Sequence, residues 1–280
     1  MGARGAIVTG GLSGLGRAMA LGLMRAGCGV LAVGHLPADA AETAALAAGG
    51  PLATLVADLH APGACDRAMT AALARFGSVD ILVNCAGLTF THSDPGRFRD
   101  GPRRFWELPD HVWQDLMDVN VVAAAWMTRR AVPGMRTRGW GRVVNVTTKL
   151  DTMNMPGTGP YGPSKAALEL ATEVWAKELD GSGVTVNIVN PGAGANTPGM
   201  GAEMRAWSAA GTRPPLVEPE AMVPPLLFVV SPVADAVNGF RFDANAWDSS
   251  LAPAAAARAI ARPAGIALHP PRAWDAEGGR

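Results

Sequence analysis

Short apolar, β-branched runs alternate with longer Ala- and Leu-rich runs along most of the chain. The short runs predict strands over Ala6–Thr9, Val30–Val33, Thr54–Ala57, Ile81–Asn84, Arg142–Thr147, Val184–Val189 and Phe240–Asp243. The longer runs predict helices over Leu15–Ala26, Asp39–Ala48, Gly63–Phe76, Pro109–Arg138, Tyr161–Leu179 and Glu218–Val230. Ile81-Leu82-Val83 and Val143-Val144 show no polar alternation, as expected of strands covered on both faces. Strand–helix alternation of this kind predicts an α/β fold, a parallel sheet with helices on both faces. No internal repeat and no second domain is visible.

Three stretches break the pattern. Leu88–Glu107 is a long connection carrying Arg97, Arg99, Arg103 and Arg104. Ala193–Pro215 is rich in Gly, Pro, Ala and Met and suits a lid. Leu251–Arg280 is an Ala/Pro-rich tail beyond the last expected strand, for which a frayed terminus is the default.

Composition narrows the class. Hydrophobic residues make up 49% of the 280, charged residues 17%, and the formal net charge is zero. Nucleic-acid and anionic-membrane binding call for clustered positive charge, so neither is expected. Cys28, Cys65 and Cys85 form no CxxC pair, which argues against a disulfide framework or thiolate zinc site and for a reducing, cytoplasmic setting. The histidines form no HxxxH or HExxH pair, so no metal is expected. The N-terminus enters a strand-like run almost at once, and no signal peptide or membrane span is expected.

The first strand runs into Thr9-Gly10-Gly11-Leu12-Ser13-Gly14-Leu15-Gly16, and a helix follows. Glycines at such a junction let the backbone approach a pyrophosphate, and the helix N-terminus offers free N–H groups. The plainer alternative is a tight turn with close helix packing. After the second strand stands Gly34-His35-Leu36, where an NAD-preferring site places a carboxylate. The missing acid and His35 lean toward NADP(H). Asp39 is near enough to reverse this, and His35 can equally be a solvated loop residue.

Tyr161-Gly162-Pro163-Ser164-Lys165 puts Tyr161 and Lys165 four apart, on one face of a helix. A tyrosine is a weak base because its ordinary pKa is about 10, and a neighbouring ammonium would lower that value. A tyrosine so tuned can exchange a proton with a substrate oxygen. Thr148, at the end of a strand, can reach the same oxygen. Asn120 is an odd polar residue among valines. It reads either as a satisfied helix amide or as an amide that holds a water beside Lys165.

With these residues in place, the chain resembles the classical short-chain dehydrogenase/reductase family. Thr9–Gly16 matches its TGxxxGxG motif. Asp58-Leu59 resembles its adenine-contacting pair, and Asn84-Cys85-Ala86-Gly87 its NNAG motif, with Cys85 in place of the second Asn. Asn120, Thr148, Tyr161 and Lys165 fall where its catalytic tetrad falls, and Asn190-Pro191-Gly192 resembles its turn beside the nicotinamide. The match runs from about residue 3 to about residue 248.

The resemblance implies a single Rossmann-type domain over residues 1–250 with about seven strands. Its cofactor half would reach to about residue 150 and its catalytic half would span about 140–250, followed by the 251–280 tail. It implies homo-oligomers, dimers or tetramers. It also implies a nicotinamide-dependent oxidoreductase that interconverts a carbonyl and a secondary alcohol. Tyr161 would be the acid/base, Lys165 would lower its pKa and bind the ribose, Thr148 would orient the substrate oxygen, and Asn120 would support a relay water. Cofactor contacts would come from Gly10, Ser13, Gly14, Leu15, Gly16, His35, Asp58, Leu59, Asn84, Ala86, Gly87, Pro191, Gly192 and Thr197. Besides Cys85, and a tail beyond residue 250 with no clear family counterpart, two positions depart from the pattern. Thr148 replaces the usual serine, and Thr197 comes one residue later than usual.

The expected substrate walls are apolar: Phe90, Leu150, Met153, Met155, Met200, Met204 and Trp207. The four arginines would bind a substrate anion or form a solvated face. A non-catalytic dinucleotide sensor, a scaffold and an extended-type epimerase or dehydratase are the competing readings. The intact Asn/Thr/Tyr/Lys set argues against the sensor, and the glycine turn with Asp58 against the scaffold. Against the epimerase stand the chain length and the glycine spacing.

Overall fold

The computed structural model describes residues 4–93, 101 and 103–265. Its strands are β1 (Gly5–Thr9), β2 (Gly29–Gly34), β3 (Leu52–Val56), β4 (Ile81–Asn84), β5 (Gly141–Asn145), β6 (Val184–Asn190), β7 (Phe240–Asp243) and β8 (Arg262–Pro263). They lie in one sheet in the order β3-β2-β1-β4-β5-β6-β7-β8. The first seven pair in parallel; β8 is antiparallel to β7, with Arg241 opposite Arg262. The strand order reverses between β1 and β4, where open α/β sheets form their ligand crevice.

Period-two alternation splits the core between the two faces. Ala6 and Val8 of β1 and Ile81 and Val83 of β4 face one side, with Met19 and Leu23 from α1 (Gly14–Arg25). Ile7 and Leu82 face the other, with Ala68 and Ala72 from a second helix (Ala64–Phe76). Both layers exclude water, which is why the strands read as unbroken apolar runs. The expected α/β doubly wound architecture is present.

The structure differs from expectation in two places. The helix expected over Pro109–Arg138 is divided: Asp110–Met117 and Ala123–Thr137 are α-helical, and Asp118–Val122 between them is a π-helical turn in which the Ala123 N–H reaches back to the Asp118 carbonyl. Asn120 sits in this turn, and a polar side chain drawn into the core gives a physical reason for the extra residue in the ladder. The tail is the second difference. Pro253–Ile260 form a helix with proline in its first turn, and Ala256 and Ala257 are buried. β8 then adds an eighth strand. The small alanine face packs where composition alone suggested fraying. Residues beyond 265 lie outside the described part.

Candidate active site

At the C-terminal ends of β1 and β4 opens a cleft of about 770 Å³. One end is made of backbone. Gly10 (φ +63°) and Gly14 (φ +49°) occupy the left-handed region that favours glycine. A Cβ on Gly16 would lie 2.1 Å from the Gly10 carbonyl oxygen, so the turn closes only without side chains. The Thr9 hydroxyl clamps this turn to the β4 loop: it accepts from the Cys85 and Ala86 amides at 3.0 and 3.1 Å and donates to the Val83 carbonyl at 3.3 Å. Ser13 precedes α1 without capping it through its side chain, leaving the first N–H groups of the helix free to meet an anion.

Gly10, Ser13, Gly14, Leu15 and Gly16 line this end, as do His35, Asp58 and Leu59 further out and Ala86, Gly87, Pro191 and Thr197 toward the middle. Two expected contacts do not line the cleft. Asn84 is buried and donates to the Thr128 hydroxyl (3.0 Å) and the Asn145 side-chain oxygen (2.9 Å), so its amide ties β4 to its neighbours. Gly192 donates its N–H to Asn190 Oδ1 at 2.8 Å, and a Cβ there would fall 1.8 Å from Asn245 Oδ1; it shapes the turn from behind. Thr197 sits over the glycine turn, its Cγ2 3.0 Å from where a Gly14 Cβ would be.

The other end is made of buried side chains. Tyr161 begins the helix Tyr161–Glu178; its ring meets Phe90 edge-on at 5.6 Å, and its hydroxyl bonds with that of Thr148. The Lys165 ammonium donates to the Val146 carbonyl at 3.0 Å and stands 3.1 Å from the Cβ position of Gly87. Burial pushes Lys165 down to about 8, opposed by the Cys85 thiol, and pushes that thiol up to about 12, opposed by Lys165. Burial also raises Tyr161, opposed by its bond to Thr148. The expected lowering of Tyr161 is therefore not seen: desolvation raises it by more than the bond to Thr148 lowers it.

Asn120 carries three side-chain hydrogen bonds to protein. Its Oδ1 accepts from Leu88 N at 2.8 Å, and its Nδ2 donates to the Leu88 carbonyl (3.0 Å) and Ser164 Oγ (2.9 Å). It is fully buried and does not line the cleft. Its side chain is the satisfied amide of the plainer reading, fastening the wall loop at Leu88 to the tyrosine helix.

Phe90, Met155, Met200 and Met204 line the substrate end, with Leu216 added; Leu150, Met153 and Trp207 do not. The lid is tied down by a bridge of Ala195 to Val217, and the hydroxyls of Thr89 and Thr91 donate to the Gly199 carbonyl at 3.1 and 3.0 Å. Arg103 and Arg104 do not line the cleft, and Arg97 and Arg99 lie outside the described residues. Thr9, Ser164 and the carbonyl of Val146 escaped sequence reasoning. Thr9 and Ser164 lie within the motifs that were read, but a bond to a backbone group leaves no pattern in sequence.

A cradle that any Cβ would fill, a free helix N-terminus and a cleft continuing to a buried tyrosine fit a dinucleotide. The family model described as "short chain dehydrogenase" matches residues 4–208. An acetoacetyl-CoA reductase from Allochromatium vinosum is 33% identical over 195 residues, covering 68% of this chain and 74% of that protein. The 3-ketoacyl-(acyl-carrier-protein) reductase of Brucella melitensis, solved with NADH, superposes with a TM-score of 0.74 at 26% identity over 86% of this chain and 96% of that one. An actinorhodin polyketide ketoreductase, solved with NADPH, gives 0.73 at 25% identity over 84% and 93%. The chain belongs to the short-chain dehydrogenase family. It is a nicotinamide-dependent dehydrogenase/reductase acting on CH–OH and carbonyl groups, and these relatives lend the sensor reading no support.

Proposed function

We propose that the protein reduces an apolar ketone to a secondary alcohol, with Tyr161 as the proton donor and NADP(H) as the preferred cofactor. The observation that carries this reading is the hydrogen bond between the buried Tyr161 hydroxyl and the half-buried Thr148, with Lys165 on the same helix face, in the wall of the cleft. A nicotinamide dinucleotide, when bound, supplies the hydride. Gly10, Ser13, Gly14, Leu15 and Gly16 would hold its pyrophosphate, Asp58 and Leu59 its adenine, and Ala86, Gly87, Pro191, Thr197 and Lys165 its nicotinamide half.

Thr148 holds the substrate oxygen against the Tyr161 hydroxyl. As the carbonyl carbon is reduced, that oxygen takes the Tyr161 proton. A phenol kept protonated by burial can donate in the reductive direction. Lys165 then stabilises the resulting phenolate. Phe90, Met155, Met200 and Met204 line the substrate end and suit an apolar carbonyl compound. Asn120 fastens the Leu88 loop to Ser164 on the tyrosine helix, beside Lys165.

The NADP(H) preference rests on His35 at the cleft and on Asp39, whose carboxylate lies 3.9 Å from Arg17 Nη2 and is partly offset by it. Arg17 also pairs with Glu42 at 2.8 Å. The three free thiols support a reducing, cytoplasmic setting, and the family resemblance supports a homo-oligomer, a dimer or tetramer. The test is a fluorescence titration with NADPH and NADH, then turnover of a panel of ketones and alcohols. Tight NADPH binding with ketone turnover is expected; no binding by folded protein would defeat the reading.

A further inference from the structure

Behind the tyrosine helix lies a buried ionic chain that the reaction as described does not use. Glu169 continues the face of Tyr161 and Lys165 and is completely buried. Its Oε2 accepts from the Thr147 hydroxyl at 3.0 Å and lies 2.9 Å from Arg241 Nη1. Arg241, on β7, is 1% exposed. Its Nη2 donates to the Thr148 carbonyl and to Asp243 Oδ1, both at 3.1 Å. Asp243 Oδ1 also accepts from Asn190 Nδ2 at 2.5 Å, and Asn190 Oδ1 accepts from the Gly192 amide at 2.8 Å. One guanidinium thus touches the strand end bearing Thr148 and the tyrosine helix, and through Asp243 reaches the Pro191–Gly192 turn.

A buried ion pair is poor value for stability, because removing two charges from water costs about as much as their attraction returns. Here Arg241 Nη1 meets Glu169 as an ion pair without hydrogen-bond geometry, and Arg241 Nε and Glu169 Oε1 have no hydrogen-bond partner among the described residues. What the arrangement supplies is geometry. A planar fork fixes several partners at once, which a single ammonium cannot do. Its two ends bear on the two parts that must be in register, the Thr148–Tyr161 pair and the turn beside the cofactor.

We propose that Arg241, held by Glu169 and Asp243, is a positioning residue that sets the distance between the Thr148–Tyr161 pair and the Asn190–Gly192 turn. The inference rests on the reductase reading above. It also draws the C-terminal strand into the site, since Arg262 pairs with Asp243 and the Gly265 N–H favours the Glu169 carboxylate.

The test compares the parent with a charge-free double variant, Glu169→Leu with Arg241→Met, and with Arg241→Lys. Removing both charges leaves no unpaired ion, since Asp243 keeps Arg262 and Asn190, so the double variant is expected to fold. Two readouts are taken. In the ligand-free protein, amide exchange of peptides covering residues 146–152 and 190–196 is expected to rise about tenfold as the cross-tie is lost. In turnover with NADPH and the best ketone, kcat is expected to fall by about tenfold or more, with dinucleotide affinity unchanged, and the primary deuterium isotope effect to increase. Arg241→Lys keeps the charge beside Glu169 but loses the fork and should fall between parent and double variant; it carries the test if the double variant does not fold. Unchanged exchange at both segments, or a folded variant as fast as the parent, overturns the proposal. A parent that reduces no ketone would count against the reductase reading, while the ligand-free exchange would still decide the role of Arg241.

Discussion

At the nucleotide end the cleft wall is mostly backbone: Gly10, Gly14 and Gly16 leave room by having no side chain, and the helix supplies N–H groups. At the chemical end the wall is mostly buried side chains: Tyr161, Lys165 and Cys85 all have their proton equilibria displaced by burial. The first end is set mainly by backbone shape and by the free N–H groups of the helix. The second depends on functional groups whose burial carries a stability cost. Substitutions should therefore separate cleanly into those that stop binding and those that stop chemistry.

The largest effect is expected at the chemical end. Tyr161→Phe should cut turnover by about 10³-fold, in the range for losing a general acid, while NADPH titration shows the parent's affinity. Thr148→Ala should lower kcat by about 10²-fold, the cost of one oxyanion-type donor, and Thr148→Ser should restore most of it in the same assay. Gly14→Val tests the opposite end. Valine in the left-handed region costs about 1–2 kcal/mol, and its side chain would crowd Thr197, so NADPH binding should weaken about tenfold or more while circular dichroism shows an intact fold.

Lys165→Met sharpens the contrast, because it should raise stability while it stops chemistry. The fall from 10.5 to about 8 corresponds to about 3 kcal/mol. The Val146 carbonyl then loses its donor at about 1 kcal/mol, so the net gain is about 2 kcal/mol. For a chain of this size that is a rise of about 5 °C in Tm by calorimetry. The sign follows from proton counting. Between about pH 8 and 10.5 the unfolded chain binds more protons than the folded one, so the parent gains stability with rising pH. The variant's advantage should be complete below pH 8 and gone by pH 10.5. The smallest effect is His35→Ala, which should reduce the NADPH-to-NADH affinity ratio by about threefold, consistent with an exposed contact worth less than 1 kcal/mol.

The same division governs what the sequence made legible. Backbone requirements leave their mark in glycines and in apolar runs, so the parallel strands and the Thr9–Gly16 turn could be read directly. Tyr161 and Lys165 were legible because helical spacing places them together. Asn120 was legible as an anomaly but not as an amide bonded to Leu88 and Ser164, since partners 32 and 44 residues away leave no local pattern. Asn84 and Gly192 match cofactor motifs, and their bonds to Thr128 and Asn190 leave no local pattern in sequence. The Glu169–Arg241 pair joins residues far apart in the chain, and an acidic residue on a buried helix face was its only sequence sign. The π-helical turn and the helix of the tail arise from tertiary packing that overrides local composition.

The two-residue strand β8 has a consequence for how the protein behaves in a crowded solution. An open parallel sheet ends in a row of unpaired backbone groups, a template on which another chain can add and begin to aggregate. β8 covers that row at Phe240 and Arg241. Its own outer edge offers little in return: it is two residues long, Pro263 has no N–H to donate, and Arg262 places a charge there. Among the described residues the sheet on this side ends in a segment too short and too poor in donors to template strand addition.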